Sequence, residues 1–458
     1  MGHTFTVKIW QVRQRTDRGR TSAELRWKVG STPHSRTFRT VTLADNRRAE
    51  LLVAVQRGEA FDEAAGVPVS ELRRRKDVSW YQHARSYIEL KWPDSPASTR
   101  RTLADGMATV TPVLVTDNRG MADRRTVRRA LYSWAFNVHR WQEEHPDDVV
   151  AVLNWFERNS LPVSALNDRM VVRRALDGLK RNLDGSTAAA SCITRKRAIF
   201  HNAVVFALDA ELITENPIPR ISWSLPEPVE EEVDPASVPN PELARALLRA
   251  VGEQGKRGRM LVAFFGCMYY AGARPAELLE LRPNQCCLPR RGFGSLRLQQ
   301  TRPRSGKSWT DTGETHDRRG LKKRSRKAVR RVPIPPELVA MLRWHIEAYG
   351  TAPDGRLFRT LRGGLLQESG YGKVWARARA AVLAPEDYES ALAKRPYDLR
   401  LACLSTWLSS GVAPQTVAKR AGHSVAVLLR VYARFVKDTD ETENAKIAAR
   451  LAGRNGSQ

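Results

Sequence analysis

Three short stretches in the second half of the sequence hold residues whose types suit chemistry on a phosphate ester. The first is Tyr270-Ala-Gly-Ala-Arg274-Pro275-Ala-Glu277, followed by the apolar Leu278, Leu279 and Leu281. The second is Tyr397-Asp398-Leu399-Arg400, and the third is Gly422-His423-Ser424 with Tyr432 nine residues beyond the histidine. Arginine stays charged at any ordinary pH, and its planar fork matches two phosphate oxygens at once. Histidine can move a proton, and a tyrosine oxygen can act as a nucleophile. Local signals frame the first arginine: Gly272 should end one helix, Pro275 should start the next, and Arg274 should lie on the turn between them. From a turn a guanidinium can be aimed, whereas in mid-helix it would reach out into water. A helix is expected from Asp398 to about Ser410, with Gly411-Val412-Ala413-Pro414 ending it and opening another. Taken singly, each residue has a plainer account: one basic residue among 76, a capping or core histidine, an aromatic packed on a terminal helix.

Together the three stretches closely resemble the catalytic domain of the tyrosine recombinases, the phage-integrase family. In that pattern Ala-Gly-Ala-Arg-Pro-x-Glu-Leu carries one arginine, a His-x-x-Arg box the second, and Leu-Gly-His-Ser the histidine. A tyrosine nine residues later is the nucleophile. By position the resemblance implies Arg274, Arg400, His423 and Tyr432 as catalytic residues, and the 23 residues from Arg400 to His423 suit the family. It covers residues 241–437 best. Two departures stand out. The first residue of the His-x-x-Arg box is Tyr397, and Leu401 follows Arg400 where many relatives carry histidine. Tyrosine can donate and accept a hydrogen bond but is a poor base near neutral pH. Tyr397 is therefore expected to orient, and His423 to titrate near neutral pH and carry more of the proton handling. The family's catalytic lysine lies on a β-hairpin before a Val-Pro-Ile-Pro strand, here Val332 to Pro335. That makes Lys322 the first candidate, with Lys323 beside it.

The resemblance implies a site-specific DNA recombinase, or integrase, that cleaves and rejoins DNA through a 3′-phosphotyrosine intermediate. The chemistry suits the residue types. Two guanidinium groups can compensate charge on the non-bridging oxygens, most strongly in the pentavalent transition state. A lysine can protonate the leaving 5′-oxygen. No cofactor and no metal are expected. Double-stranded DNA is the expected partner, bound by a homotetramer, with accessory DNA-bending or directionality factors as further partners. A type IB topoisomerase or a telomere resolvase shares the chemistry but needs no arm domain. The alternative is a catalytically silent, sequence-specific DNA-binding regulator with a recombinase-like fold, suggested by Tyr397.

These residues must be positioned by a multidomain, mostly α chain. Residues 1–70 read as a small α+β unit, similar to an arm-type DNA-binding domain. Phe5-Val7-Ile9 and Leu25-Trp27-Val29 alternate as half-buried strands, residues 36–41 form a third, and a helix starts at Thr42 as N-cap. Lys8, Arg26, Lys28 and Arg39 share the polar face, either to read a groove or simply to be solvated. Residues 76–216 read as an all-α domain, placed like the family's core-binding domain. One helix is expected over 121–143, its apolar stripe being Val127, Leu131, Trp134, Val138 and Trp141. Another is expected over 187–214, with Arg195, Lys196 and Arg197 as DNA-binding candidates. Residues 217–240 hold six prolines and an acidic cluster, which marks an extended linker. Residues 241–437 form the mainly α catalytic domain with a small β-sheet insert around 293–335, and 438–458 form a tail.

Composition agrees. The 458 residues carry 76 Lys and Arg against 49 Asp and Glu, a formal net charge of +27, which attracts polyanions at long range. Twelve basic residues fall between 302 and 331, opposed only by Asp311, Glu314 and Asp317. These, with Lys323 and Arg324 among them, suit phosphate contacts, which give affinity but little sequence choice. Five cysteines without metal-ligand spacing exclude a disulfide framework and a zinc site, and the adjacent Cys286 and Cys287 are expected in the core. No apolar run approaches the ~20 residues that span a bilayer, and no signal-peptide pattern opens the sequence. Gly2 and Thr6 match a loose myristoylation pattern, but Phe5, Val7 and Ile9 run straight into a strand. A cytoplasmic protein without a membrane partner is expected.

Overall fold

The structure is a computed structural model that describes residues 2–17, 20–75, 78–224, 234–321 and 328–432, with isolated positions 444, 448 and 451 beyond them. Lys322, Lys323, Arg324 and Lys327 lie outside the described residues, as does nearly all of the tail. The chain is mostly helical with small sheets, and it divides into two compact units, Met1–Glu227 and Pro228–Gln458.

In the first unit, strand Arg20–Val29 is the centre of a four-stranded antiparallel sheet. Val7–Ile9 and Arg13–Asp17 pair along one of its edges and Thr32–Phe38 along the other. Ala23, Leu25, Trp27 and Val29 alternate inward and are buried. Helix Val41–Gln56 covers them with Leu51 and Ala54. The helix starts two residues earlier than the sequence suggested. Thr40, in extended geometry, accepts from the Leu43 N–H, so the strand ends at Phe38 and Thr42 is already helical. Lys8, Arg26, Lys28 and Arg39 are exposed, and Lys8 stands opposite Lys28 in register.

His3–Thr4, Phe61–Asp62 and Val67–Pro68 form a second, three-stranded antiparallel sheet, and from Val69 onward the unit is mainly helical, with Trp80, Tyr81, Tyr87, Phe136, Phe156 and Phe200 fully buried. Helix Ala97–Val110 packs on Ala190–Asp209, and only a glycine fits at 106, where a Cβ would meet Ile199 Cγ2 at 2.9 Å. The expected helix over 121–143 is not continuous. Asp123 caps a helix at Arg124–Ala130, the chain widens into a π turn at Leu131–Ala135, and it turns extended at Asn137. Trp141 folds back, and its indole N–H donates to the Ala135 carbonyl at 2.9 Å, satisfying an end that a continuous helix would have had no need to cap. The stripe therefore splits: Val127 and Leu131 are buried, while Arg140 and Arg85 lie over the rings of Trp134 and Trp141 at 4.6 and 4.4 Å.

The second unit is built around helix Gly255–Ala271, whose Phe264, Phe265 and Met268 are buried against the helices Pro241–Gly252, Pro336–Tyr349 and Glu368–Val382. Asn240 caps the first of these at 2.8 Å, ahead of Pro241. The β insert is a three-stranded antiparallel sheet with Gly294–Leu298 between Cys286–Cys287 and Arg330–Ile334. Cys286 and Cys287 thus form a short edge strand whose residues face opposite ways. Cys286 is half-buried and packs against the core, whereas Cys287 is exposed and does not, which corrects the core expectation for Cys287. The segment from 302 to 321 is folded: the buried Glu280 holds Arg302 and Arg318, and Trp309 and His316 are buried. A second apolar cluster gathers Leu404, Leu408, Val417, Leu428 and Tyr432 from helices Asp398–Ser409, Pro414–Ala421 and Val425–Tyr432.

Candidate active site

Gly272, at φ +54, ends helix Gly255–Ala271 in the left-handed region that glycine favours. Two residues later Pro275 opens the short helix Pro275–Leu278, and Arg274 occupies its N-cap. Glu277 reaches back to this position. Its carboxylate accepts from the Arg274 backbone N–H at 2.8 Å and from Nη1 at 3.0 Å. The same carboxylate is paired with Arg330, and both groups are almost wholly buried, Glu277 at 3% and Arg330 at 2% exposure. Burial opposes ionisation of Glu277, but Arg330, Arg274 and Arg400 outweigh it and hold the carboxyl below its usual range.

The C-terminus of helix Pro414–Ala421 meets this group. Three successive carbonyls each accept from a different arginine: Arg420 from Arg330 Nη1 at 2.5 Å, Ala421 from Arg400 Nη2 at 2.7 Å, and Gly422 from Arg274 Nη2 at 3.2 Å. Helix C-termini leave such carbonyls without helical partners, and their partial negative charge favours cations. Gly422 is at φ +70, and a Cβ there would stand 3.2 Å from Arg330 Cδ and 3.4 Å from Arg274 Nη1. Arg400 is 0% exposed; it also donates to the Gly272 carbonyl and lies 3.0 Å from His423 Nε2.

A guanidinium can only donate, so His423 Nε2 accepts and the ring proton sits on Nδ1. Burial, then Arg400, Arg274 and Arg330, pull the His423 pKa down to about 3, with Glu277 opposing. The expectation that His423 titrates near neutral pH is thereby corrected: three guanidinium groups face it. Tyr432 lies in helix Val425–Tyr432 at 1% exposure, with its ring 6.5 Å from that of His423 between centroids. Burial drives its phenol pKa far up, Arg400 draws it partly back, and Tyr397 adds to the rise. Tyr397 is half-buried and packs on the cluster that contains Tyr432. Arg400 Nε, Arg330 Nε and His423 Nδ1 are buried without a hydrogen-bond partner among the described residues.

The structure therefore brings Arg274, Arg400, His423, Tyr432 and Tyr397 together. Lys322 and Lys323, the lysine candidates, lie outside the described residues, as does Arg324. Of the other DNA-binding candidates, Arg195 is exposed, Arg197 half-buried, and Lys196 is drawn into an ion pair with Asp105 at 3.6 Å. Sequence reading missed Arg330 and the bridging role of Glu277. Glu277 had a local signal, a Glu three residues after an N-cap. Arg330 had none, being one of twelve basic residues in its stretch. Among the described residues no group of His, Cys, Asp and Glu could hold a metal ion, and no helix is long and apolar enough to cross a membrane.

No family model and no curated protein matches the sequence. Solved structures do. The Tn1549 transposon integrase in complex with transposon right end DNA is 18% identical, with 69% of this chain and 96% of that chain covered and a TM-score of 0.49. The XerH site-specific recombinase bound to palindromic difH substrate is 14% identical, covering 77% and 96%, with a TM-score of 0.43. A lambda integrase dimer bound to a COC′ core site is 14% identical, covering 57% and 80%, with a TM-score of 0.38. These three solved structures are of two integrases and a site-specific recombinase.

Proposed function

We propose that this chain is a tyrosine recombinase that cuts and rejoins double-stranded DNA at a specific site through a 3′-phosphotyrosine intermediate. The observation that carries the reading is a buried cluster in which arginines from separate stretches surround a neutral histidine and a tyrosine, with Arg400 Nε and His423 Nδ1 left as buried, unpartnered donors. Buried N–H groups are almost always paired, and a phosphate oxygen is the acceptor that suits two donors amid this much positive charge.

In the reaction Tyr432 Oη attacks phosphorus as the bond to the 5′-oxygen breaks. Arg274 and Arg400 turn from the 421–422 carbonyls to the non-bridging oxygens and stabilise the charge that grows there. The Nε2 lone pair of His423, released by Arg400, takes the phenolic proton. A lysine, Lys322 by the resemblance, gives a proton to the leaving oxygen, and rejoining reverses each step. Tyr432 and Arg400 are covered in this arrangement, so the segment carrying Tyr432 must move before a phosphate can enter.

Residues 1–70 and 76–216 would act as arm-type and core-binding DNA domains, linked through 217–240 to the catalytic domain at 241–437. A homotetramer on DNA, accessory factors and a cytoplasmic location belong to the same proposal, with the 438–458 tail docking in cis or on a neighbour. The test is a denaturing gel with a nicked suicide substrate. A covalent protein–DNA adduct is expected, and DNA binding without any adduct on cognate DNA would favour a silent regulator.

A further inference from the structure

Arg330 is the first residue of the strand Arg330–Ile334 and pairs in register with Leu298, so its backbone is fixed by the sheet. Its side chain turns inward, and its two Nη atoms serve different partners, Nη2 the Glu277 carboxylate and Nη1 the Arg420 carbonyl at 2.5 Å. The remaining Nε lies against Gly422, 3.4 Å from where a Cβ would be. Both Nη atoms are thus engaged within the protein, and the group is almost wholly covered. Its two partners are the supports of the other site residues: Glu277 holds Arg274 by two bonds, and Arg420 directly precedes the Ala421–His423 turn.

We infer that Arg330 is a positioning residue for strand cleavage, locking Glu277 and the 420–422 turn to one another and so fixing where Arg274 and His423 stand. The inference rests on the recombinase reading for its reaction, but on the geometry alone for the coupling. A buried ion pair is a poor source of stability, since apolar residues of similar volume often do as well. What an apolar pair could not do is bond two separate elements at once. Lysine would keep the charge but offers a single nitrogen on a flexible stem, so it could not hold both acceptors in one geometry.

The charge has a second effect. His423 is faced by Arg400, Arg274 and Arg330, with Glu277 opposing and the Tyr432 ring on the remaining side. Removing one positive charge from this set makes the imidazolium less unfavourable, so the His423 pKa must rise.

The experiment uses the full chain as wild type, Arg330→Lys and Arg330→Met, with duplex-DNA affinity, single-turnover adduct formation and the His423 ring titration by NMR measured on each. In Arg330→Lys, adduct formation should slow on the order of 10²-fold, the size of effect that a misplaced catalytic group produces. DNA affinity and the His423 titration should stay near wild type. In Arg330→Met, cleavage should fall further and the His423 titration should move up. Should Arg330→Met fail to fold, Arg330→Met with Glu277→Gln removes the buried charge pair together and should fold while cleaving slowly. Wild-type cleavage rates in folded Arg330→Lys or in that double variant overturn the inference, as does a rate loss that merely tracks lost DNA affinity. If the wild type itself forms no adduct, the recombinase reading fails separately. The His423 titration then decides the coupling, and one unmoved by Arg330→Met overturns it.

Discussion

Arg400 Nη2 stands 3.0 Å from His423 Nε2, a contact in which the guanidinium must donate and the imidazole must accept. The pair therefore fixes a neutral histidine in the Nδ1–H form, in agreement with a pKa drawn down to about 3 by burial and by Arg400, Arg274 and Arg330. With Nε2 taken by Arg400 and the pKa so low, the imidazole is a weak base as it stands, and under the proposed reaction Arg400 must leave Nε2 before the histidine can accept the proton of Tyr432.

The first prediction follows from that titration. In the DNA-free protein the His423 ring should remain neutral from about pH 8 down to about pH 4, read by NMR of labelled histidine. A ring that titrates near its ordinary value of 6.5 would contradict the Arg400 contact. Stability gives an independent sign. Unfolded, His423 takes up a proton near pH 6.5; folded, only near 3. Its contribution is thus complete above 6.5 and is lost as pH falls towards 3. Relative to wild type, His423→Gln should show a shallower loss of stability over that window.

Tyr432→Phe should abolish the covalent adduct and leave DNA affinity nearly unchanged. Only the phenolic oxygen is lost, and the ring still fills its place among Leu404, Val417 and Leu428. Adduct formation by the Phe variant would remove Tyr432 as nucleophile.

The two arginines should separate by their structural roles. Arg274→Ala should slow cleavage by a factor corresponding to about 2.7–4 kcal/mol, the cost of one charge-stabilising donor at an oxyanion site. Arg400→Ala should do this and also lower stability, because it strands the buried Gly272 and Ala421 carbonyls at a cost of about 1–3 kcal/mol each. Denaturant unfolding alongside single-turnover cleavage tells the two apart. Arg274→Ala gives up its own contacts to Gly422 and Glu277 and should also cost some stability, so the test of Arg400 as the main support of the turn is a larger loss in Arg400→Ala, and an unchanged stability in Arg400→Ala would refute it.

Much of this site was legible because its frame is written in local signals. Gly272, Pro275 and Pro414 punctuate helices where they should, and Arg274 falls on the turn that the first two define. The alternation Leu25-Trp27-Val29 likewise announces a strand with one buried face. What was not legible depends on partners distant in sequence. The π turn at Leu131–Ala135 leaves the 3.6-residue pattern intact on paper while the chain leaves the helix. Arg330 meets Glu277 and Arg420 from 53 and 90 residues away, and no spacing rule reaches that far. The depressed His423 pKa has the same origin, since its burial, the largest cause, and the three arginines around it both come only with folding.

Metal and salt provide a further test. Cleavage should proceed in excess EDTA, because guanidinium groups supply the charge compensation, and a strict need for a divalent ion in the chemical step would point to another mechanism. Binding should weaken steeply with salt as counterions are released from the neutralised phosphates. A flat dependence would contradict phosphate contacts by the basic residues of 302–331.

Tyr397 offers the sharpest comparison within the site. It stands where the resemblance calls for histidine, and it lies close enough to Tyr432 to oppose ionisation of that phenol. Its ring is half-buried against the cluster that holds Tyr432. If it serves by one hydrogen bond to the phosphate, Tyr397→Phe loses that bond alone and should slow cleavage modestly, by about tenfold for roughly 1.4 kcal/mol. Tyr397→His should be tolerated, since imidazole offers a donor of similar reach. His423→Ala should be far more damaging, because it removes both the acceptor for the Tyr432 proton and the partner of Arg400. The measurement is single-turnover cleavage of one suicide substrate from about pH 5.5 to 9 for all three variants. A Tyr397→Phe enzyme as inert as Tyr432→Phe would mean that Tyr397 takes part in proton transfer itself. The burden placed on His423 would then have to be shared between them.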